Sequence, residues 1–267
     1  MIMMDLNKKN YYSTEADWQY MSVSQFKDFM KCEAAALAKL KEEWSPTSNP
    51  VALLVGNYVH SYFESEEAHT TFINENRSSI YKKNGSERSE FVQAVEMIEA
   101  LEYDDFFNFV YQGEKEVILN GELFGTEWKA RIDCFNYDKG YFVDLKTTRS
   151  LSQRYWSERY GGYVSFAEEY GYITQMYVYK QLLEQQFKKD ITPYIFAVTK
   201  ESPPDIAAIE IYPARYDFER YMIEEKLPHI LRVKMGEEAP ASCGKCEYCR
   251  KNKKLSGFIE IEDLIHS

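Results

Sequence analysis

The chain has 267 residues, 45% of them hydrophobic and 16% aromatic, which is enough apolar material for one large buried core. Its 43 acidic and 32 basic residues leave a net charge of -11, which argues against a protein that coats nucleic acid through a broadly basic surface. No segment reaches the roughly 20 apolar residues of a membrane span, and the N-terminus lacks the apolar core of a signal peptide. We therefore expect a globular cytoplasmic protein with no membrane partner.

The first part of the chain has the apolar spacing of helices. This spacing predicts one helix over 22–44, a second over 51–66 and a third over 87–111. No repeat or long low-complexity linker follows, so the prediction is one domain over 1–267. Its parts are a helical region over about 22–111, a sheet core over about 114–212, and a C-terminal helix with a cysteine-rich segment over about 214–255.

After this helical region the period of the apolar pattern changes. The predicted elements are strands 114–120, 123–135 and 141–147, a helix over 163–188, strands 193–199 and 206–212, and a helix over 214–235. The first three strands read as an antiparallel meander, because a five-residue turn ending in Gly140 joins the last two. Helices before, between and after strands predict an α/β fold with a central sheet covered on both faces.

Two charged residues interrupt the apolar strand YFVDLKTT. Asp144 and Lys146 share one face of this strand, and Arg131 and Asp133 share one face of the strand before it. If the hairpin aligns these faces, two carboxylates converge, which is costly unless a proton or cation lies between them. Oxygen donors of this kind suit Mg²⁺ or Mn²⁺, and the lysine could activate water or offset charge in a transition state. A salt bridge at the end of the sheet is the alternative.

The Asp-x-Lys pattern is one of four motifs that follow each other in a fixed order along this chain. They are His60 in GNYVHSYFE, Asp133 in ARID, Asp144 and Lys146 in VDLKTT, and Gln175 with Tyr179 in QMYVY. In this order they resemble the PD-(D/E)XK nuclease superfamily, and within it the RecB-like and RecE-like exonucleases of the exonuclease VIII type found in phages and prophages. The resemblance implies an α/β restriction-endonuclease-like core, with a central mixed β-sheet flanked by helices.

The resemblance also implies a role for each matching residue. Asp133 and Asp144 would ligate one or two Mg²⁺ or Mn²⁺ ions, with the main-chain carbonyl of Leu145 as an additional ligand. His60 would be a further ligand or a residue of a second metal site. Lys146 would position or activate the attacking water. Position 144 carries Asp where Glu is frequent in the superfamily.

Other polar residues are candidates for contacts with the substrate. Gln175 and Tyr179 lie four residues apart on one helix face, and the resemblance implies that they line the active site or contact the DNA backbone. A core tyrosine beside a surface glutamine is the alternative. Lys129, Arg131 and Lys200 could contact phosphate or be solvated charges at strand ends.

The five cysteines include a closely spaced group of three. Cys243, Cys246 and Cys249 form C-x₂-C-x₂-C, which indicates a metal centre in a reducing compartment more than a disulfide framework. Cys32 is the candidate fourth ligand, because RecB-like relatives hold a [4Fe–4S] cluster with one cysteine before the nuclease core and three after it. The last two cysteines are closer together here, so Zn²⁺ and metal-free thiols stay open as alternatives. Cys134 is interpreted as a core residue.

The function that the resemblance implies is a metal-dependent DNA exonuclease. It would hydrolyse duplex ends 5′ to 3′ and leave a 3′ overhang for a single-strand annealing protein of phage-type recombination. RecE-like relatives form rings around DNA, so a homo-oligomeric ring is expected. The alternatives are a single-strand exonuclease or an endonuclease in repair or restriction, and a non-catalytic DNA-binding relative or scaffold.

Overall fold

The computed structural model describes residues 3–47, 50–255, 257–258 and 260–261. Its contacts divide the chain into two compact units. One unit consists of Met1–Ser48, Glu122–Lys129 and Arg220–Ser267, and the other of Asn49–Gly121 and Ala130–Glu219. In the part of the chain that the structure describes, no helix combines the length and apolar character needed to cross a bilayer. The single domain expected over 1–267 stays a prediction.

Three helices open the chain: α1 (Thr14–Gln19), α2 (Val23–Lys31) and α3 (Glu33–Leu40). Ser22 caps α2 by accepting a hydrogen bond from the Gln25 N–H, as expected of a serine at this position. The single helix predicted over 22–44 is wrong, because Cys32 is extended, with φ -167° and ψ 106°. The Ala34 N–H donates to the Ala241 carbonyl at 3.0 Å, so a distant segment takes the hydrogen bond that a continuous helix would have used.

Five more helices precede the sheet: α4 (Pro50–Glu64), α5 (Glu66–Glu75), α6 (Arg77–Ile80), α7 (Ser89–Glu102) and α8 (Asp105–Val110). The second predicted helix corresponds to α4. The third is divided at Asp104, whose side chain accepts the Phe107 N–H at 2.6 Å and begins α8. Neither α5 nor α6 was predicted, since their apolar residues are few and none in α5 is buried.

The strands in chain order are β1 (Glu114–Leu123), β2 (Thr126–Asn136), β3 (Tyr141–Thr148), β4 (Tyr155–Ser157), β5 (Gly162–Val164), β6 (Thr192–Thr199) and β7 (Ile206–Glu210). Five of them form one sheet in the order β1-β2-β3-β6-β7, and β4 pairs with β5 in a separate hairpin. β3 is antiparallel to β2 and parallel to β6. This mixed sheet confirms the predicted α/β restriction-endonuclease-like core.

Four helices complete the fold: α9 (Phe166–Glu169), α10 (Tyr172–Phe187), α11 (Arg215–Met235) and α12 (Glu247–Lys251). The helix predicted over 163–188 is wrong at its start, which forms β5 and α9. Gly171 separates α9 from α10 because it has φ 66°, a left-handed conformation that glycine adopts without strain.

Helices cover both faces of the sheet around β3. Val143 and Leu145 belong to a buried apolar cluster with residues of α4 and α7, such as Val59 and Phe91. The alternate side chains of β3 point the other way, where the Phe142 ring lies 6.3 Å from that of Tyr179 on α10. Asp144 and Lys146 therefore belong to the α10 side of the strand.

Candidate active site

The pairing of β2 with β3 brings the two predicted carboxylates together. Cys134 is opposite Val143 and Phe135 is opposite Phe142. Since side chains alternate along a strand, Asp133 lies on the same face as Phe135, and this is also the face of Asp144. Cys134 lies in the opposite apolar cluster, as its interpretation as a core residue requires.

Asp144 is 1% exposed and has two polar neighbours. Its Oδ1 accepts a hydrogen bond from Gln175 Nε2 at 2.9 Å, and the Lys146 ammonium lies 2.5 Å from its Oδ2. Burial of a carboxylate is costly unless a cation offsets its charge, and the Lys146 ammonium supplies that charge at Oδ2. A buried carboxylate that lies beside a second carboxylate fits a ligand for a hard cation.

Asp133 is bound by main-chain and imidazole groups. Its Oδ2 accepts the Leu145 N–H at 2.8 Å and lies 3.4 Å from His60 Nδ1. The Leu145 backbone also acts on His60, because it raises the pKa of this imidazole against the effect of burial. The predicted residues His60, Asp133 and Leu145 are thus in contact, while ligation of a metal by the Leu145 carbonyl stays a prediction.

Burial sets the protonation of the four titratable groups. It raises the pKa of Asp144 to about 6, with the Asp133 charge adding to the rise and Lys146 opposing it. It raises the pKa of Asp133 as well, and it lowers the pKa of His60 to about 4 with help from Lys146. Burial lowers the pKa of Lys146, but Asp144 and Asp133 outweigh it and raise that pKa to about 12.

Two consequences follow for the chemistry of the site. A neutral His60 at physiological pH has a lone pair available to a metal. Lys146 keeps its proton, so in this arrangement it can orient water or stabilise an oxyanion but is a poor general base. Its ammonium supplies the positive charge that balances Asp133 and Asp144.

The donor chemistry of Asp133 and Asp144 fits a hard divalent cation. Mg²⁺ is typically held by one or two carboxylates together with substrate phosphates and water, and needs no closed protein cage. Asp133 and Asp144 offer such carboxylates, and ligation of a metal by either of them or by His60 stays a prediction.

Sequence reasoning missed Tyr172. Its ring centroid lies 4.7 Å from the Lys146 Nζ, a cation–π contact at the entrance to α10. Tyr172 precedes Gln175 by three residues and thus shares its helix face, a signal that could have identified it. Tyr179 lies farther along α10, buried against Phe142, which is the packing of a core tyrosine; its predicted role at the site stays a prediction.

Other candidate phosphate contacts bind the protein itself. Lys129 is 2% exposed, pairs with Asp17 and donates to the Tyr11 carbonyl. Burial in this ion pair leaves its ammonium inaccessible to a phosphate, so its reading as an edge charge or phosphate contact is wrong.

Arg131 and Lys200 also have partners in the same unit. Arg131 pairs with Glu116 and lies 3.7 Å from Glu64. The Lys200 ammonium donates to the Ala52 carbonyl at 3.3 Å.

The four predicted cysteine ligands form a cluster in the other unit. Their sulfurs all lie within 4.8 Å of one another, with Cys32 Sγ 3.6 Å and Cys243 Sγ 3.9 Å from Cys249 Sγ. The Cys246 N–H points at Cys243 Sγ at 3.3 Å, an orientation that stabilises a thiolate. This donor set and these separations suit a thiophilic metal.

Comparison with known proteins identifies a family. Residues 22–252 match a family described as a PDDEXK-like domain of unknown function (DUF3799). A solved structure from Eubacterium rectale, described as a "putative exonuclease", is 37% identical with a TM-score of 0.91, and the match covers 98% of each chain. A structure called SSO0001 is 17% identical over 80% of this chain and 90% of that one, with a TM-score of 0.32 that carries no weight. None of the curated proteins matches significantly.

Proposed function

The chain belongs to the PDDEXK-like family DUF3799, and we propose that it is a metal-dependent nuclease that degrades DNA from its ends. The observation that carries this proposal is the convergence of Asp133, Asp144 and Lys146, in which the Lys146 ammonium lies 2.5 Å from an oxygen of the buried Asp144. The exonuclease description of the related structure from Eubacterium rectale supports action at ends.

The residues of the site have distinct tasks in this proposal. A bound Mg²⁺ or Mn²⁺ would supply Lewis acidity and a nucleophilic water at neutral pH, and Asp133 and Asp144 would hold it. Lys146 orients the water and stabilises negative charge on the phosphate oxygens. Gln175 fixes the rotamer of Asp144 through its 2.9 Å hydrogen bond, and the Leu145 N–H and His60 fix that of Asp133.

The test is degradation of linear duplex DNA labelled separately at the 5′ and 3′ ends. Wild type, Asp133→Ala and Asp138→Ala are incubated with Mg²⁺, Mn²⁺ or EDTA. Asp138 is an exposed carboxylate in the turn between β2 and β3, so it is a matched control for loss of charge. We expect metal-dependent loss of label in wild type and Asp138→Ala only. Intact DNA with folded wild type under every condition would refute the proposal.

The finer features of the proposal come from the resemblance to RecE-like exonucleases. We propose 5′ to 3′ digestion, a ring-shaped homo-oligomer and delivery of the 3′ overhang to a single-strand annealing protein in phage-type recombination. A ring would keep a chain of net charge -11 on its substrate without a broadly basic surface. Early loss of 5′ label and a sedimentation mass of several chains are the expected results. Cleavage of circular DNA would favour the endonuclease alternative instead.

The sulfur separations favour Zn²⁺ in the cysteine cluster. Four thiolates at about 2.3 Å from one tetrahedral Zn²⁺ have sulfurs about 3.8 Å apart, and the structure has 3.6 and 3.9 Å. A [4Fe–4S] cluster places each thiolate on a different iron and requires sulfurs roughly 6 Å apart. We therefore propose one structural Zn²⁺, which closes a loop of more than 200 residues between Cys32 and the C-terminal segment.

Metal analysis of the purified protein tests this proposal. We expect about one zinc per chain, no visible absorbance, loss of zinc in Cys32→Ala and retention in Cys134→Ala, which removes a thiol outside the cluster. Iron with acid-labile sulfide would show that the cluster expected from the resemblance is present instead, and absence of both metals would leave free thiols.

A further inference from the structure

Three tyrosine rings extend from the active site, and each ring contacts the next. The Tyr172 ring lies over Lys146, and its centroid is 6.0 Å from that of Tyr170. The Tyr170 ring is 5.7 Å from that of Tyr155, and the two hydroxyl groups are 3.3 Å apart. We call Tyr172, Tyr170 and Tyr155 the tyrosine track.

The middle ring of the tyrosine track is the most exposed of the three. Tyr172 and Tyr155 are half-buried, and Tyr170 is 41% exposed. The Tyr172 ring also packs against the buried Phe166, with centroids 6.2 Å apart, whereas the Tyr170 ring is not covered as a core residue would be. The backbone supports the track: Tyr155 begins β4 of the β4–β5 hairpin, and Gly171 lies between the other two tyrosines.

The charges beside the tyrosine track are mixed. Arg149 is exposed directly after β3, and its charge lowers the pKa of the Tyr155 hydroxyl, opposing the hydrogen bond with Tyr170 that raises this pKa to about 12. The negative charge of the exposed Glu169 raises the pKa of the same hydroxyl. Arg154, directly before Tyr155, is also exposed, and each of these two arginines can meet one phosphate.

Exposed aromatic rings beside arginines suit single-stranded nucleic acid. Bases of a single strand are free to stack on tyrosine rings, whereas bases of a duplex are already stacked on each other. We propose that the tyrosine track binds the unpaired bases next to the scissile phosphate at the Asp133–Asp144 site, so that the strand enters the site as a single strand. This inference rests on the proposed nuclease function and assigns its substrate as single-stranded DNA or a frayed duplex end.

Binding without cleavage tests the tyrosine track. Ca²⁺ replaces Mg²⁺, and fluorescence anisotropy measures the affinity for labelled oligothymidine, for a blunt duplex and for a duplex with an overhang. The variants are Tyr170→Ala, Tyr170→Phe and Trp156→Ala. Trp156 is a matched control, because it is 61% exposed and follows Tyr155 on the opposite face of β4.

We expect Tyr170→Ala to weaken binding of oligothymidine and of the overhang by about 5- to 100-fold, the usual effect of removing one stacked base. Tyr170→Phe keeps the ring and should bind like wild type, and Trp156→Ala should do so too. Arg149→Ala should reduce by about one the number of counterions released on binding, which is read from the salt dependence of Kd. Equal losses for Trp156→Ala, or for the blunt duplex, would overturn the inference, and so would a loss in Tyr170→Phe as large as that in Tyr170→Ala.

The two proposals can fail separately. A protein that cleaves DNA but binds oligothymidine equally well with and without the Tyr170 ring would refute the tyrosine track alone. A protein that never cleaves but loses oligothymidine binding in Tyr170→Ala would refute the nuclease and retain single-strand binding.

Discussion

Replacement of Lys146 by Met should tighten metal binding and abolish most of the activity. In the structure the Lys146 ammonium is the cation nearest to Asp144, 2.5 Å from its Oδ2. A divalent ion bound by the same carboxylate has to share this space with the ammonium, and like charges at short range repel. Lys146 therefore opposes binding of the metal with which it acts.

The size of this effect can be worked out from the geometry. An ion ligated by Asp144 would lie roughly 4–5 Å from the ammonium, where unit charges repel by about 3–4 kcal/mol at an effective dielectric constant of about 20. The metal ion carries two positive charges, whereas the proton that competes with it for the carboxylates carries one. Removal of the ammonium therefore favours the metal over the proton by the repulsion energy of about one pair of unit charges. The ammonium of the wild type can swing away, so we expect about half, about 2 kcal/mol, or roughly 30-fold in Kd.

Calorimetric titration with Mn²⁺ measures this affinity, and the end-labelled duplex measures the turnover of the same samples. Lys83→Met is the control, because Lys83 is exposed in a loop before α7. We expect tighter Mn²⁺ binding in Lys146→Met only, with kcat lower by about 10²- to 10⁴-fold. Weaker Mn²⁺ binding in folded Lys146→Met would show that Lys146 does not compete with the cation. Undiminished turnover would show that Lys146 does not act on the phosphate.

Three further predictions concern stability, measured by urea unfolding. Gly113→Ala should cost about 3 kcal/mol or more, because φ is +151° and an added Cβ would lie 2.2 Å from the Phe135 carbonyl oxygen; Gly85→Ala, with φ +84° and open space, should cost only about 1 kcal/mol. Glu219→Ala should cost about 3–5 kcal/mol, because Glu219 is 1% exposed and pairs with a partly buried arginine, and a cost below about 1 kcal/mol would contradict that reading. Burial lowers the pKa of Lys234 to about 8, so the unfolded chain binds more protons above that pH and stability should rise by about 2 kcal/mol from pH 8 to about 9.5, a rise that Lys234→Met should lack.

Much of the active site could be predicted from local sequence. Strand alternation placed Asp144 with Lys146 on one face, and the short turn at Gly140 made β2 the antiparallel neighbour of β3. The resemblance added His60 and Gln175, and the structure brings His60 into contact with Asp133 and Gln175 into contact with Asp144.

The breaks between helices were harder to predict. The apolar period continues through Cys32, and only the hydrogen bond from Ala34 to Ala241 reveals why the helix stops there. The break between α9 and α10 has a local cause in Gly171. A glycine in a helical pattern is a signal of such a break, but the apolar spacing on both sides led to the prediction of one helix. Lys129 was misread because its partners Asp17 and Tyr11 are more than 100 residues away.

By itself, the sequence determined the five strands of the main sheet and their order along the chain, the face shared by Asp144 and Lys146, and the four cysteines available to a metal. These features depend on neighbours along the chain, which periodicity and spacing report directly. Only the tertiary structure decided that β3 lies parallel to β6, that the Leu145 N–H binds Asp133, and that three tyrosines extend from Lys146. Such contacts arise when distant segments pack together, and the distances between their atoms leave no periodic trace in the sequence.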